Sequence, residues 1–206
     1  MDPVTKRVGI YIGRFQPLHN GHMNIIQKGI KECNTFIIVI GSMDKHNEKN
    51  PFTYEKRRDV VYHAVLESHL DIDKLRIIGI NDTDALDSVQ DVPIEQLWYY
   101  YLRQLVTQTI PSMQNLYLYA SVKDPHTDDY LKKIRQYLNI VEYVEIKVSV
   151  NNGENINATD IREHHRNIKS TQQAYMEKIR SMEDNYFQEM SKIVPPSTIA
   201  LLKNDL

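Results

Sequence analysis

The 206-residue chain has one cysteine, Cys33, so no internal disulfide can form, which fits a reducing, cytoplasmic setting. Cys33 falls on the apolar face of a helical pattern and reads as core packing, not as a reactive thiol. A basic excess is also missing: 25 Lys and Arg stand against 27 Asp and Glu, a formal net charge of -2. General nucleic-acid binders and membrane-surface binders carry such an excess or a basic cluster, so neither class is expected. A local basic pocket for a small phosphorylated ligand needs only a few cations and stays open. Long apolar runs are absent. The longest, Phe36–Ile40, is far below the roughly 20 residues that a membrane span needs. The N-terminus is polar and runs straight into a strand pattern, so no signal peptide is expected. There is no internal repeat and no low-complexity tract. No Gly-rich loop ends in Gly-Lys-Ser/Thr, which argues against a Walker-type kinase.

What is present is ordinary globular sequence, 41% hydrophobic and 25% charged, sized for one domain with a small appendage. Strand-like segments are Val8–Ile12, Phe36–Ile40, Leu75–Ile80, Leu116–Tyr119 and Tyr143–Val150. Between them lie helix-like segments: Gly21–Cys33, a helix capped by Thr53 and running to about Ser68, Ile94–Thr109, and Tyr130–Leu138. A short helix follows from about Thr159. Phe36–Ile40 is apolar on both faces, as a central parallel strand must be. The alternation predicts an α/β fold with a five-stranded, mainly parallel sheet and helices on both faces. After His165, Tyr175, Ile179, Met182, Tyr186, Met190 and Ile193 recur at spacings of three and four, which predicts one long amphipathic helix. Pro195-Pro196 stops it, and Ser197-Thr198 can start a last short helix. The predicted division is residues 1–166 as the main domain and 167–206 as a helical extension. That extension would pack on the same domain or at a subunit interface.

Chemistry concentrates in Gly13-Arg14-Phe15-Gln16-Pro17-Leu18-His19-Asn20-Gly21-His22, between a buried strand and a helix start. A strand, a turn and a helix N-terminus together form an anion site, because unsatisfied N–H groups and the positive end of the helix dipole face the turn. Gly21 lets a phosphate approach without a side-chain clash, and imidazole donors at His19 and His22 would stabilise phosphoryl charge. Two histidines three apart could instead be half of a zinc site, but the other six histidines supply no partner set. A second element, Asn155-Ile156-Asn157-Ala158-Thr159-Asp160-Ile161-Arg162, follows the fifth strand. Asn157 and Thr159 are helix-cap residues, and Arg162 lies one turn in, where it can reach back over the same end. Hydroxyl, amides and guanidinium together read as a second phosphate site.

Gly13–His22 resembles the HxGH motif of the nucleotidyltransferase superfamily, and Asn157–Arg162 resembles its ISxTxxR motif, with Asn157 where Ser is usual. Gly13–Pro17, Gly41-Ser42, Asn50-Pro51-Phe52-Thr53 and Lys56-Arg57 are similar to archaeal nicotinamide mononucleotide (NMN) adenylyltransferases, which usually have Glu where Lys56 stands. Ser121-Val122-Lys123-Asp124 and Tyr130-Leu131 resemble a bacterial branch fused to a Nudix hydrolase, although no Nudix box is present here. The resemblance covers residues 6–166, and Val194-Pro195-Pro196 is similar to the tail of that domain. It implies a Rossmann-like nucleotidyltransferase fold and the reaction ATP + NMN → NAD + pyrophosphate, without a covalent intermediate. It further implies that His19, His22, Arg14 and Arg162 act at the phosphates. Gly13, Phe15, Gly21, Arg57, Lys123, Asp124, Asn157 and Thr159 would surround ATP. Asp82 and Trp98 would hold the nicotinamide. Mg²⁺ would bridge phosphate oxygens with few or no protein ligands, and the chain would form a homo-oligomer. Transfer to nicotinate mononucleotide, FMN or phosphopantetheine is the alternative chemistry. A non-catalytic nucleotide sensor is the alternative of another class.

Overall fold

The computed structural model describes residues 6–86, 92–110, 115–121, 125–146, 158–171 and 185–205. Five strands, β1 (Val8–Gly13), β2 (Thr35–Ile40), β3 (Leu75–Gly79), β4 (Leu116–Ala120) and β5 (Glu142–Glu145), form one sheet in the order β3-β2-β1-β4-β5. All four pairings are parallel. The helices are α1 (Asn20–Glu32), α2 (Tyr54–Glu67), α3 (Ile94–Thr109), α4 (Pro125–Leu138) and α5 (Ala158–Thr171).

The two faces of the sheet read directly from the period-2 alternation of β2. Phe36, Ile38 and Ile40 pack with Ile26, Ile30 and Val61 of α1 and α2. Ile37 and Val39 pack with Leu102, Val106 and Ile134 of α3 and α4. All five strand residues from Phe36 to Ile40 are fully buried, each stabilising the fold by about 1.5–3 kcal/mol. Close approach of α1 to the sheet depends on Gly29, where a Cβ would lie 1.9 Å from the Phe36 ring.

Several boundaries differ from the sequence expectation. α4 starts at Pro125, five residues before Tyr130, because proline suits a first helical turn. α5, predicted as a short helix from about Thr159, is 14 residues long. The described part of the fifth strand is Glu142–Glu145, and 147–150 lie outside the described residues. So do 172–184, with most of the predicted long amphipathic helix. Residues 185–190 are helical (α6), a turn covers 191–193, and α7 runs over Pro196–Asp205. Helix α7 begins at Pro196, with the Pro195 carbonyl accepting from the Thr198 and Ile199 amides. Tyr186, Phe187, Met190, Val194 and Leu202 bury against Phe52 and Ile161 in a third apolar cluster. Among the described residues, no helix is long and apolar enough to cross a membrane.

Candidate active site

The loop between β1 and α1 is held in one shape from several directions. Phe15 adopts a left-handed backbone (φ 53), uncommon for a bulky residue, and its ring is buried edge-on to Tyr11 and His22. The Gln16 side chain is buried and clasps the Phe52 backbone in both directions, its Nε2 donating to Phe52 O at 2.8 Å and its Oε1 accepting from Phe52 N at 3.1 Å. This fixes the phosphate-type loop to the Asn50–Thr53 turn.

His19 caps α1. Its ring accepts from the His22 amide, and the His22 ring accepts from the His19 amide, a reciprocal capping box made by two imidazoles. The rings stack, 3.6 Å between centroids and 19° apart. His19 is 3% exposed, while His22 is half-buried at the helix start. Not every first-turn amide points outward: Asn20 N donates to Ile193 O at 2.6 Å, and Asn20 Nδ2 donates to Lys192 O at 3.0 Å. This helix start therefore offers fewer free amides than a bare helix end would.

Arg162 of α5 closes the other side. Its guanidinium donates to the Gln16 carbonyl and, at 3.1 Å, to Thr159 Oγ1. The two phosphate-type motifs, 146 residues apart in sequence, are thus in direct contact. Burial lowers the Arg162 pKa from its ordinary value, and repulsion from Arg14 and Arg166 adds to this. Arg14 is exposed, and Arg166 pairs with Glu48 at 3.0 Å. Arg14 and Arg162 thus bring two guanidiniums to the same loop, while the charge of Arg166 is shared with Glu48.

Arg57 is placed differently from the sequence expectation of a phosphate contact. It is 1% exposed and lies beneath the loops. Its guanidinium donates to the carbonyls of Arg14 (2.8 Å), Gly41 (2.7 Å) and Ser42 (2.9 Å), and its Nε to that of Thr53 (3.3 Å). Backbone oxygens, not a ligand, accept the four bonds it makes.

Beside this site opens a cleft of about 910 Å³, lined among others by Gly13, Arg14, Ser42, Asp82, Trp98 and Tyr130. It sits beyond the carboxyl ends of the strands, where connections from β1 and β4 diverge, the usual ligand position in open α/β sheets. Asp82 accepts from Ser42 Oγ at 2.9 Å. Trp98 is oriented by its Nε1 donating to Asn81 O at 2.9 Å and by edge contact with Tyr99. Asp84 and Glu95 also line it, so the cleft sets the one guanidinium of Arg14 against the carboxylates of Asp82, Asp84 and Glu95. Lys45 is engaged by Asp44 at 2.9 Å and Asp84 at 2.7 Å.

Of the residues predicted from sequence, Gly13, Arg14, Phe15, His19, Gly21 and His22 share the first loop and helix start, and Thr159 and Arg162 face them. Asp82 and Trp98 line the adjoining cleft. Lys123, Asp124 and Asn157 lie outside the described residues.

The family model described as cytidylyltransferase-like matches residues 10–171, a span that contains all of these elements. The chain belongs to the cytidylyltransferase-like family. Among curated members, it is 31% identical over 169 residues to the nicotinamide/nicotinic acid mononucleotide adenylyltransferase of Acinetobacter baylyi, covering 82% of this chain and 80% of that protein. It is 30% identical over 95 residues to the nicotinamide-nucleotide adenylyltransferase of Saccharolobus solfataricus, covering 46% of this chain and 50% of that one. A bifunctional NMN adenylyltransferase/ADP ribose pyrophosphatase from Francisella tularensis, solved with AMP and a manganese ion, shares the fold. Its TM-score is 0.63 at 22% identity, over 89% of this chain and 54% of that chain. The chain therefore spans about half the length of the archaeal and Francisella proteins.

Sequence reasoning missed four members of this cytidylyltransferase-like site: Gln16, Ser42, Asn20 and Tyr130. Gln16 and Ser42 lie inside segments quoted for the resemblance, but their work is done on backbone atoms and on Asp82. No spacing signals such contacts. Tyr130 was quoted for the resemblance to the bacterial branch but given no place in the site, and the structure puts it on the cleft near Trp98.

Proposed function

We propose that this chain transfers the adenylyl group of ATP to nicotinamide mononucleotide, giving NAD and pyrophosphate. The observation that carries this reading is the contact of Arg162 with the Gln16 carbonyl, which joins the two phosphate motifs into one clamp. The adjoining cleft is large enough for a mononucleotide. An NMN phosphate oxygen attacks the α-phosphorus, a new P–O bond forms, and the bond to the β-phosphate oxygen breaks to release pyrophosphate. No side chain becomes covalently linked, so rate comes from positioning and charge stabilisation. His22, half-buried at the start of α1, faces the α-phosphate, with His19 holding its orientation. Arg14 binds the NMN phosphate at the mouth of the cleft. Thr159 and Arg162 hold the β- and γ-phosphates.

At the far end, the Trp98 ring offers a face to the cationic pyridinium. Asp82, Asp84 and Glu95 favour that cation with a neutral carboxamide over a nicotinate carboxylate.

Divalent metal fits this site through the substrate. Among the described residues, no group of three or more His, Cys, Asp or Glu side chains could hold an ion. The triphosphate oxygens would carry Mg²⁺, which supplies charge neutralisation to the leaving pyrophosphate.

Incubation with ATP, Mg²⁺ and NMN, nicotinate mononucleotide, FMN or phosphopantetheine in turn tests the reading, with products identified by mass. NAD and pyrophosphate in equal amounts are expected from NMN. A different dinucleotide as the main product would replace this substrate, and tight ATP binding without any product would favour a sensor.

A further inference from the structure

Arg57 is a buried cation that makes four hydrogen bonds, all to backbone oxygens, three of them on loops that line the cleft. It reaches the Arg14 carbonyl in the loop after β1 and the Gly41 and Ser42 carbonyls in the loop after β2. The Thr53 carbonyl ties it to its own helix start. A planar fork with five donors can join loops in this way, and an ammonium group cannot. Each tied loop then presents a different part of the site. Arg14 projects its side chain at the phosphate end. Ser42, itself in the left-handed region (φ 50), turns its hydroxyl to Asp82 at the base end. Gly41 N also donates to Gly13 O at 2.9 Å, so the two loops are joined to each other as well as to the guanidinium.

We propose that Arg57 is the positioning residue that sets the separation between the phosphate end and the base end of the cleft. It holds the mononucleotide phosphate in line with the α-phosphorus without touching substrate. This rests on the reaction proposed above. Burial leaves Arg57 out of reach of a ligand in the cleft, while its four bonds fix both loops that a ligand must span.

Arg57→Lys separates this role from a direct phosphate contact. Lysine keeps the charge, so a residue that acts on phosphate through charge alone would lose little in kcat. A positioning residue would lose the fork. A misplacement on the order of 1 Å costs roughly 10²-fold in rate, so kcat is expected to fall about tenfold to a hundredfold. The KM for ATP should stay within about threefold. Circular dichroism and the melting temperature define conditions where the variant is folded. A folded Arg57→Lys protein with kcat within twofold of the parent overturns the proposal.

Ser42→Ala leaves Arg57 in place and keeps the test open if the lysine variant does not fold. It cuts the link from the tied loop to Asp82, so the KM for NMN should rise at least threefold while that for ATP stays constant. An unchanged KM for NMN also overturns the proposal. Parent turnover with ATP and NMN is measured first. Its absence would count against the reaction, and calorimetric binding of NMN to the same variants would then read the positioning role.

Discussion

At the scale of single residues, the site relies on polar groups whose orientation is fixed before any ligand arrives. The stacked His19–His22 pair is the clearest case, because each ring accepts from the other's backbone amide. His22→Ala removes a preoriented donor and should lower kcat by roughly 10²–10³, measured by pyrophosphate release. Near-normal turnover would remove His22 from the chemistry. The sequence made this pair visible because its pattern is local, with Gly21 and a helix start beside it. Arg57 was visible only as a cation, since its acceptors are carbonyls up to 43 residues away. A second residue-scale effect concerns buried phenols. Burial pushes the Tyr186 hydroxyl up to about 12 and raises Tyr11 and Tyr130 further. Each keeps its proton in the folded state above the unfolded value of about 10. The folded protein then binds more protons than the unfolded chain, so stability falls as pH rises from about 10 towards 12. Melting temperature measured across pH 9 to 12 should drop, and Tyr186→Phe should flatten that drop.

At the scale of elements, the sheet and its first two helices were legible because period and burial agree. Phe36–Ile40 reads as a buried central strand and is one, with all five residues fully buried. Less legible were the starts and lengths of α4 and α5. The polar stretch before Tyr130 hides a helix start, and the charged sequence after Arg162 gives no stop signal until past Thr171. The packing of α1 on β2 is tighter than sequence alone implies. A methyl at Gly29 would overlap Phe36, and a Cβ added at Gly9 would lie 2.5 Å from the same ring. Gly29→Ala should therefore destabilise by about 1–3 kcal/mol, despite the better helix propensity of alanine. Chemical denaturation would read this as a lower midpoint at constant slope. A midpoint equal to or above that of the parent would show that the helix can shift outward.

At the scale of the whole molecule, elements far apart in sequence complete one another. The third apolar cluster joins Phe52, beside the first loop, to Ile161 of α5 and to residues 186–202. Through it, the last helices hold the arginine helix against the loop that Gln16 clasps. Met190 is 3% exposed there, and Met190→Ala should cost about 2–5 kcal/mol of local stability. Hydrogen exchange should quicken across 185–205 and α5, with the KM for ATP rising more than that for NMN. Unchanged exchange in α5 would show that the clamp stands without the cluster. None of this coupling was legible in sequence, because an amphipathic pattern names a buried face but not its partner. The bond from Asn20 to the Ile193 carbonyl carries one more consequence. On a ribosome, residue 20 emerges long before residue 193, and the first motif must wait, with one helix-start amide unclaimed, for almost the whole described chain to follow. The start of α1 is thus finished last although it is begun first, so a nascent chain halted before residue 193 would carry the recognisable motif without this bond.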